Sequence, residues 1–152
     1  MANPDVEFSI CVGDEIENFP ATKDARERIA LIYRLGMGVE ISASDLLPFA
    51  RKKLGIGVHG FILPLSEAVK HTRGIFTFVN GRAVKDRILQ QASIAAAREV
   101  SFGGEYPQLV LFLEIDPEMV DVNVHPTKTE VRFREPSPFG FIYKALVEAL
   151  RN

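Results

Sequence analysis

The sequence predicts an α+β fold in which helices pack on one mixed β-sheet. Three observations carry that expectation. Two short segments near the start alternate like the arms of a hairpin, and three stretches carry apolar residues at helical spacing. The run Leu109–Ile115 is almost continuously apolar, and a strictly alternating stretch follows it from Val120. With 47% hydrophobic and 25% charged residues, a chain of 152 residues falls in the range of one domain with its own core.

Taken in order, residues 6–19 read as a hairpin: Val6 to Val12 alternates, Gly13-Asp14 turns the chain, and Ile16 and Phe19 mark its return. Thr22 is placed to cap a helix beginning near Lys23, with Ala25, Ile29, Ile32 and Tyr33 on one face until Gly36 ends it. Between 37 and 55, Gly38, Ser42-Ala43-Ser44-Asp45 and Pro48 break any long pattern. A short strand and one or two helical turns around Leu46 to Lys53 are expected there. Gly57–Leu63 and Gly74–Val79 read as strands joined by a polar surface loop, Ser66–Arg73. Asn80-Gly81 is a turn that leads directly into a helix from Val84 to Val100, with Val84, Ile88, Ala92 and Ala95 as its buried stripe. Leu109–Ile115 is a strand covered on both faces; after it Val120, Val122 and Val124 face the core, while Asp121, Asn123 and His125 face something polar. Ser137 caps and Pro138 opens a closing helix whose stripe is Phe139, Ile142, Tyr143, Leu146 and Leu150.

Composition excludes several functions. A net charge of −2 argues against a surface that is basic all over, so a nucleic-acid site has to be a local patch. The one cysteine, Cys11, has no partner for a disulfide and no histidine at zinc-ligand spacing. His59 and His71 lie twelve residues apart with no carboxylate or thiol at ligand spacing between them, so no metal site is expected. There is no apolar run of the roughly 20 residues that would span a bilayer, and the first residues lack the pattern of a signal peptide. A protein with no membrane association and a cytoplasmic location is therefore expected. Residues 1–3 read as an added start or an interdomain linker, and 4–152 as a single domain. No nucleophile motif is present, which places an independent enzyme last among the functional readings.

Two stretches are more specific. One is Phe78-Val79-Asn80-Gly81-Arg82 followed by Lys85-Asp86-Arg87; the other runs Asp121-Val122-Asn123-Val124-His125-Pro126-Thr127-Lys128-Thr129-Glu130-Val131-Arg132-Phe133. The first opens a region, 82–98, where Arg82, Lys85, Arg87 and Arg98 outweigh Asp86 to give a net charge of +3 on an otherwise slightly acidic chain. Arg87, Gln91 and Arg98 fall close to one side of a helix, so they can follow phosphates without reading bases. The alternative is an ordinary solvated face with Arg87 paired to Asp86 or Glu99. In the second stretch a lysine at a loop tip can neutralise a terminal phosphate and so tell a triphosphate from a diphosphate. A solvated loop lysine is the alternative there. Arg132 and Arg134 either extend the basic surface or pair with Glu130 and Glu135.

Together these stretches, with Leu111–Pro117 and Asn3–Phe8, resemble the signature segments of MutL-family DNA mismatch repair proteins over nearly the whole chain. The resemblance implies the second, transducer domain of an N-terminal ATPase region, with the fold of the second domain of ribosomal protein S5 that gyrase B shares. It implies that Lys128 contacts the γ-phosphate of ATP held by an adjacent GHKL-type ATPase domain. Asn123 and His125 either brace that loop or serve purely structural hydrogen bonds. It places Arg87, and with it Arg82, Lys85 and Arg98, along a groove that binds single-stranded and duplex DNA without sequence preference. This segment would bind no cofactor and hydrolyse nothing alone, ATP and magnesium belonging to the full-length protein. The implied partners are its own ATPase domain, DNA, a MutS-like mismatch recognition protein and a second copy in a homodimer; the setting is the bacterial cytoplasm, nucleoid-associated in use. A free-standing S5-like nucleic-acid-binding module with no link to ATP is the alternative function.

Overall fold

Alternating residues at the start of the chain form two antiparallel strands, β1 (Phe8–Val12) and β2 (Glu15–Phe19), with Phe8 opposite Phe19 and Val12 opposite Glu15. This computed structural model describes residues 8–12, 15–19, 24–101, 103–122, 131–134 and 137–152, and the chain divides into two units, Met1–Leu46 and Leu47–Asn152. The expected Gly13-Asp14 turn and the expected cap Thr22 lie outside the described residues.

Helix α1 (Ala25–Met37) is opened by Asp24, whose Oδ1 accepts the N–H of Arg26 at 2.8 Å. It does not stop at Gly36. It runs through Met37 and closes on Gly38, at φ 66°, whose N–H donates to the Arg34 carbonyl while Val39 donates to that of Tyr33, both at 3.2 Å. Closure requires the left-handed residue after the last turn, and Gly38 supplies it at little steric cost. Ile29 and Tyr33 are buried as their spacing predicts; Ala25 is exposed, and Arg28 and Ala30 share the buried face instead. A single tight turn at Ala43–Asp45 follows, fastened by the N–H and hydroxyl of Ser42, which donate to the Asp45 carboxylate at 2.9 and 2.7 Å.

In residues 47–152, five strands form one sheet in the order β3-β4-β7-β5-β6: β3 (Leu47–Lys53), β4 (Ile56–Ile62), β5 (Ile75–Val79), β6 (Arg82–Val84) and β7 (Leu109–Ile115). Every pairing is antiparallel except β5 with β7, which is parallel because α2 (Arg87–Val100) carries the chain over the sheet between them. Leu47–Lys53 is thus a strand where helical turns were expected. Pro48 is tolerated there because β3 is an edge, where a missing N–H leaves no ladder partner unserved. Residues 63–74 are less loose than a polar surface loop suggests. Leu63 N–H donates to the Gln108 carbonyl, Val69 bridges Tyr106, and the Gln108 amide donates to the Glu67 carbonyl at 2.6 Å.

The helix expected from Val84 begins three residues later. Val84 ends β6, and Asp86 caps α2 by accepting the N–H of Leu89 at 3.0 Å. The buried face is therefore Leu89, Ala92, Ser93, Ala96 and Ala97, with Ile88 and Ala95 only half-buried. Helix α3 (Phe139–Arg151) begins one residue later than predicted: Pro138 takes the cap position rather than the first turn, and the Ser137 hydroxyl accepts the N–H of Phe139 at 3.3 Å. Ile142, Ala145, Leu146 and Val147 of α3 join Leu89, Ala92 and Ala96 of α2 over Val58, Ile62, Leu109, Leu111 and Leu113 in one core. Burying each large aliphatic side chain there contributes roughly 1.5–3 kcal/mol. The predicted class, α+β with helices packed on a mixed sheet, holds. A separate antiparallel pair, β8 (Val120–Val122) and β9 (Val131–Phe133), is anchored to this core through Val120, Val131 and Phe133.

Candidate nucleic-acid interface

The first signature stretch divides into residues that build and residues left exposed. Asn80 and Gly81 take φ of 49° and 80°, the left-handed pair that a two-residue hairpin between β5 and β6 needs. Asn80 also extends the sheet. Its backbone N–H donates to the Leu113 carbonyl at 2.8 Å, its side-chain amide donates to the Ile115 carbonyl, and its Oδ1 accepts the Ile115 N–H, both at 2.9 Å. Asp86 is the α2 cap, a role worth ~1 kcal/mol. What remains of the motif is Arg82, Lys85 and Arg87, all exposed and none ion-paired among the described residues.

Lys85 and Arg87 border a concavity. Strand β6 covers only Thr77 to Val79 of β5, so the edge of β5 at Ile75 and Phe76 is left beside the first turn of α2. A cavity of about 640 Å³ opens there, with Arg73, Lys85 and Arg87 on its rim, Phe76, Phe78, Ala83 and Val84 among its apolar lining, and Gln90 beside them. Its size is that of a typical ligand site. Arg73, exposed and not ion-paired among the described residues, went unnoticed in the sequence because twelve residues separate it from Lys85.

The four expected DNA contacts are not all brought together. Lys85 and Arg87 share the cavity, whereas Arg82 stands at the adjoining turn and does not line it. Arg98 lies on the same side of α2 about 16 Å along its axis. It lines a second, more open groove of about 750 Å³ with Gln91, Ile94, Tyr106, Phe139 and Tyr143. The pairing of Arg87 with Glu99 does not occur: Glu99 binds Arg151 at 2.7 Å, and with burial it raises the Tyr143 hydroxyl above its ordinary pKa, burial being the larger cause. Arg134 binds Asp121 at 3.2 Å and Arg132 is exposed; Glu130 and Glu135, the other expected partners, lie outside the described residues.

Lys128, Asn123 and His125 also lie outside the described residues. Their flanks are placed: β8 and β9 pair antiparallel, with Val122 opposite Val131. Among the described residues, no group of three or more His, Cys, Asp or Glu side chains could hold a metal, and no helix is long and apolar enough to cross a membrane.

The fold matches parts of solved DNA repair and gyrase B structures. A crystal structure of the N-terminal domain of a DNA repair protein aligns with a TM-score of 0.70 at 19% identity, over 99% of this chain and 49% of that one. An Aquifex aeolicus MutL ATPase domain aligns at 0.58 and 18%, over 99% and 47%. Gyrase B of Myxococcus xanthus aligns at 0.51 and 12%, over 90% and 41%. The sequence narrows this class. A family model described as "DNA mismatch repair protein, C-terminal domain" matches residues 37–151. The DNA mismatch repair protein MutL of Syntrophus aciditrophicus is 41% identical over 151 residues, 99% of this chain and 23% of that protein. MutL of Herminiimonas arsenicoxydans is 38% identical over 99% of this chain and 24% of that protein. The chain belongs to the MutL family of DNA mismatch repair proteins, and it spans about a quarter of the length of the curated relatives it matches.

Proposed function

We propose that this segment couples the nucleotide state of an adjacent GHKL-type ATPase domain to DNA binding that is indifferent to sequence. The observation that carries the DNA half is the rim of Arg73, Lys85 and Arg87, three exposed cations without ion-pair partners among the described residues, around one cavity. Exposed cations in no ion pair among the described residues can take phosphates, the helix cap Asp86 being the one carboxylate that lines the same cavity, and contacts of that kind position a backbone without selecting bases. Arg82 and Arg98 extend the same surface along the hairpin turn and α2.

The nucleotide half rests on Lys128 in its signature stretch, which lies in sequence between the paired strands β8 and β9. In this reading Lys128 meets the γ-phosphate of ATP, with Asn123 and His125 bracing it, and magnesium arrives with the nucleotide in the neighbouring domain. A group that touches only the third phosphate interacts differently with ATP and ADP, which is the requirement for any ligand to shift a conformational equilibrium. Mismatch repair partners follow from the family. A MutS-like protein and a second copy are the expected ones, with the cytoplasm as the setting.

The test is steady-state ATP hydrolysis by the full-length protein, with and without single-stranded DNA. Lys128→Ala is expected to lower turnover under both conditions, whereas Arg87→Ala should leave basal turnover near the natural value and reduce its response to DNA. Unchanged turnover in Lys128→Ala removes the phosphate-sensing role and leaves a nucleic-acid-binding module without a link to ATP.

A further inference from the structure

The sheet face opposite α2 and α3 carries one row that crosses all five strands in register: Ala50, His59, Phe112, Phe78 and Ala83. Its three rings stack on one another. His59 and Phe112 have centroids 5.1 Å apart with planes at 13°, and Phe112 and Phe78 are 4.9 Å apart at 17°. These separations match the spacing between neighbouring strands, so the rings stand on the sheet and share their faces. Phe112 takes one face of Phe78. On the other side the next residue is Ala83, exposed and too small to cover an aromatic ring, and both Phe78 and Ala83 line the 640 Å³ cavity that Arg73, Lys85 and Arg87 rim.

We propose that this slot, walled by Phe78 and floored by Ala83, takes an unstacked base of single-stranded DNA. The flanking phosphates would lie on Arg73, Lys85 and Arg87. The inference rests on the DNA-binding reading above and adds to it a ring face, which a phosphate does not need and every base can use. Stacking on an aromatic side chain is tolerant of sequence because each base has a π-face, so a slot of this kind fits binding without sequence preference. It also separates two forms of DNA, since a paired base in a duplex does not reach a ring held on a sheet face without leaving its own stack. Phe78 already stacked on Phe112 and His59 is a preorganised wall, so little ordering is left for the moment of binding.

The experiment compares the affinity of the 152-residue chain, at low salt, for a short oligothymidine and for an abasic oligomer with the same number of phosphates. The natural chain is expected to bind oligothymidine at least fivefold more tightly, the lower end of what stacking of one base on one ring contributes. Phe78→Leu keeps apolar volume and removes the ring, so it should abolish that preference while leaving abasic binding unchanged. Ala83→Leu fills the slot from an exposed position and should do the same without touching the ring ladder, which covers the case in which Phe78→Leu folds poorly. Equal affinity of the natural chain for both oligomers, with Arg87→Ala still weakening each, overturns the slot and leaves the phosphate surface standing. Binding to neither oligomer overturns both.

Discussion

Replacing Arg87 by alanine removes one exposed cation from the mouth of the cavity, and the salt dependence of DNA binding reports how many such cations act. Arg73, Lys85 and Arg87 rim the cavity, Arg82 stands beside it and Arg98 lies further along α2. If each of these neutralises one phosphate of a single strand, log Kd against log salt has a slope of about 3.5 in magnitude, at roughly 0.7 per contact. Going from about 50 to 200 mM salt then weakens binding ~130-fold. Arg87→Ala should reduce the slope to about 2.8 and the weakening to ~50-fold, and its effect should be the same for any base sequence. Arg134→Ala is the control, because Arg134 is held by Asp121 at 3.2 Å and directly follows β9, away from the cavity lining. Fluorescence anisotropy of a labelled oligomer across a salt series measures both. A slope that Arg87→Ala leaves unchanged, or that Arg134→Ala lowers equally, refutes the assignment of the groove.

Three further predictions concern the stability of the fold. Asn80→Gly keeps the left-handed turn but loses both side-chain hydrogen bonds to Ile115; at about 1 kcal/mol net each, a loss of ~2 kcal/mol is expected in urea denaturation. Gly60→Ala places a Cβ against the Val110 carbonyl oxygen and 2.9 Å from the Phe49 ring inside the sheet, so about 3 kcal/mol or more of destabilisation and a melting point lower by on the order of 10 °C should follow. The Asp45 carboxyl lies below its ordinary pKa of 3.8 because Ser42 donates to it through its hydroxyl and its N–H. A carboxyl depressed in the folded state stabilises fully above its ordinary pKa and loses that contribution as pH falls through the lower folded value. The small melting-point advantage of the natural chain over Asp45→Ala, measured at neutral pH, should therefore shrink below pH 3.8.

The parts of the fold that periodicity encodes were readable in advance. Leu109–Ile115 is the strand its continuous apolar run predicts, at the centre of the sheet, and α3 starts within one residue of the place that Ser137 and Pro138 mark. Its second face closes only partly: Val110 is fully buried, Phe112 half-buried and Glu114 exposed, so the apolar run overstated the cover. Errors arose where two residues compete for one role. Gly36 and Gly38 are both candidate helix ends, and the local sequence does not say which will take positive φ. Val84 fits a helical stripe counted backwards from Ile88, yet Asp86 is the stronger start signal, and Arg82–Val84 pair with β5 instead.

The candidate site shows the same division. Arg82, Lys85, Arg87 and Arg98 were visible as a local excess of charge, and the structure leaves each of them exposed. Arg73 and the stacked row were invisible, because they depend on which strands become neighbours: His59, Phe112 and Phe78 are far apart in sequence and meet only through β4-β7-β5 order. Asn80 was read as turn chemistry alone, and its two bonds to Ile115 arise because the parallel β5–β7 pairing places the end of β7 beside the turn.

The measurement closest to the central claim is the affinity of the full-length protein for single-stranded DNA with a non-hydrolysable ATP analogue and with ADP, for the natural protein and for Lys128→Ala. Coupling between two sites is reciprocal, so a nucleotide-sensing lysine must appear in DNA affinity as well as in turnover. The natural protein should show a difference of roughly fivefold or more between the two nucleotides, and Lys128→Ala should bring the two affinities together with DNA still bound. The same ratio in both proteins would contradict the account.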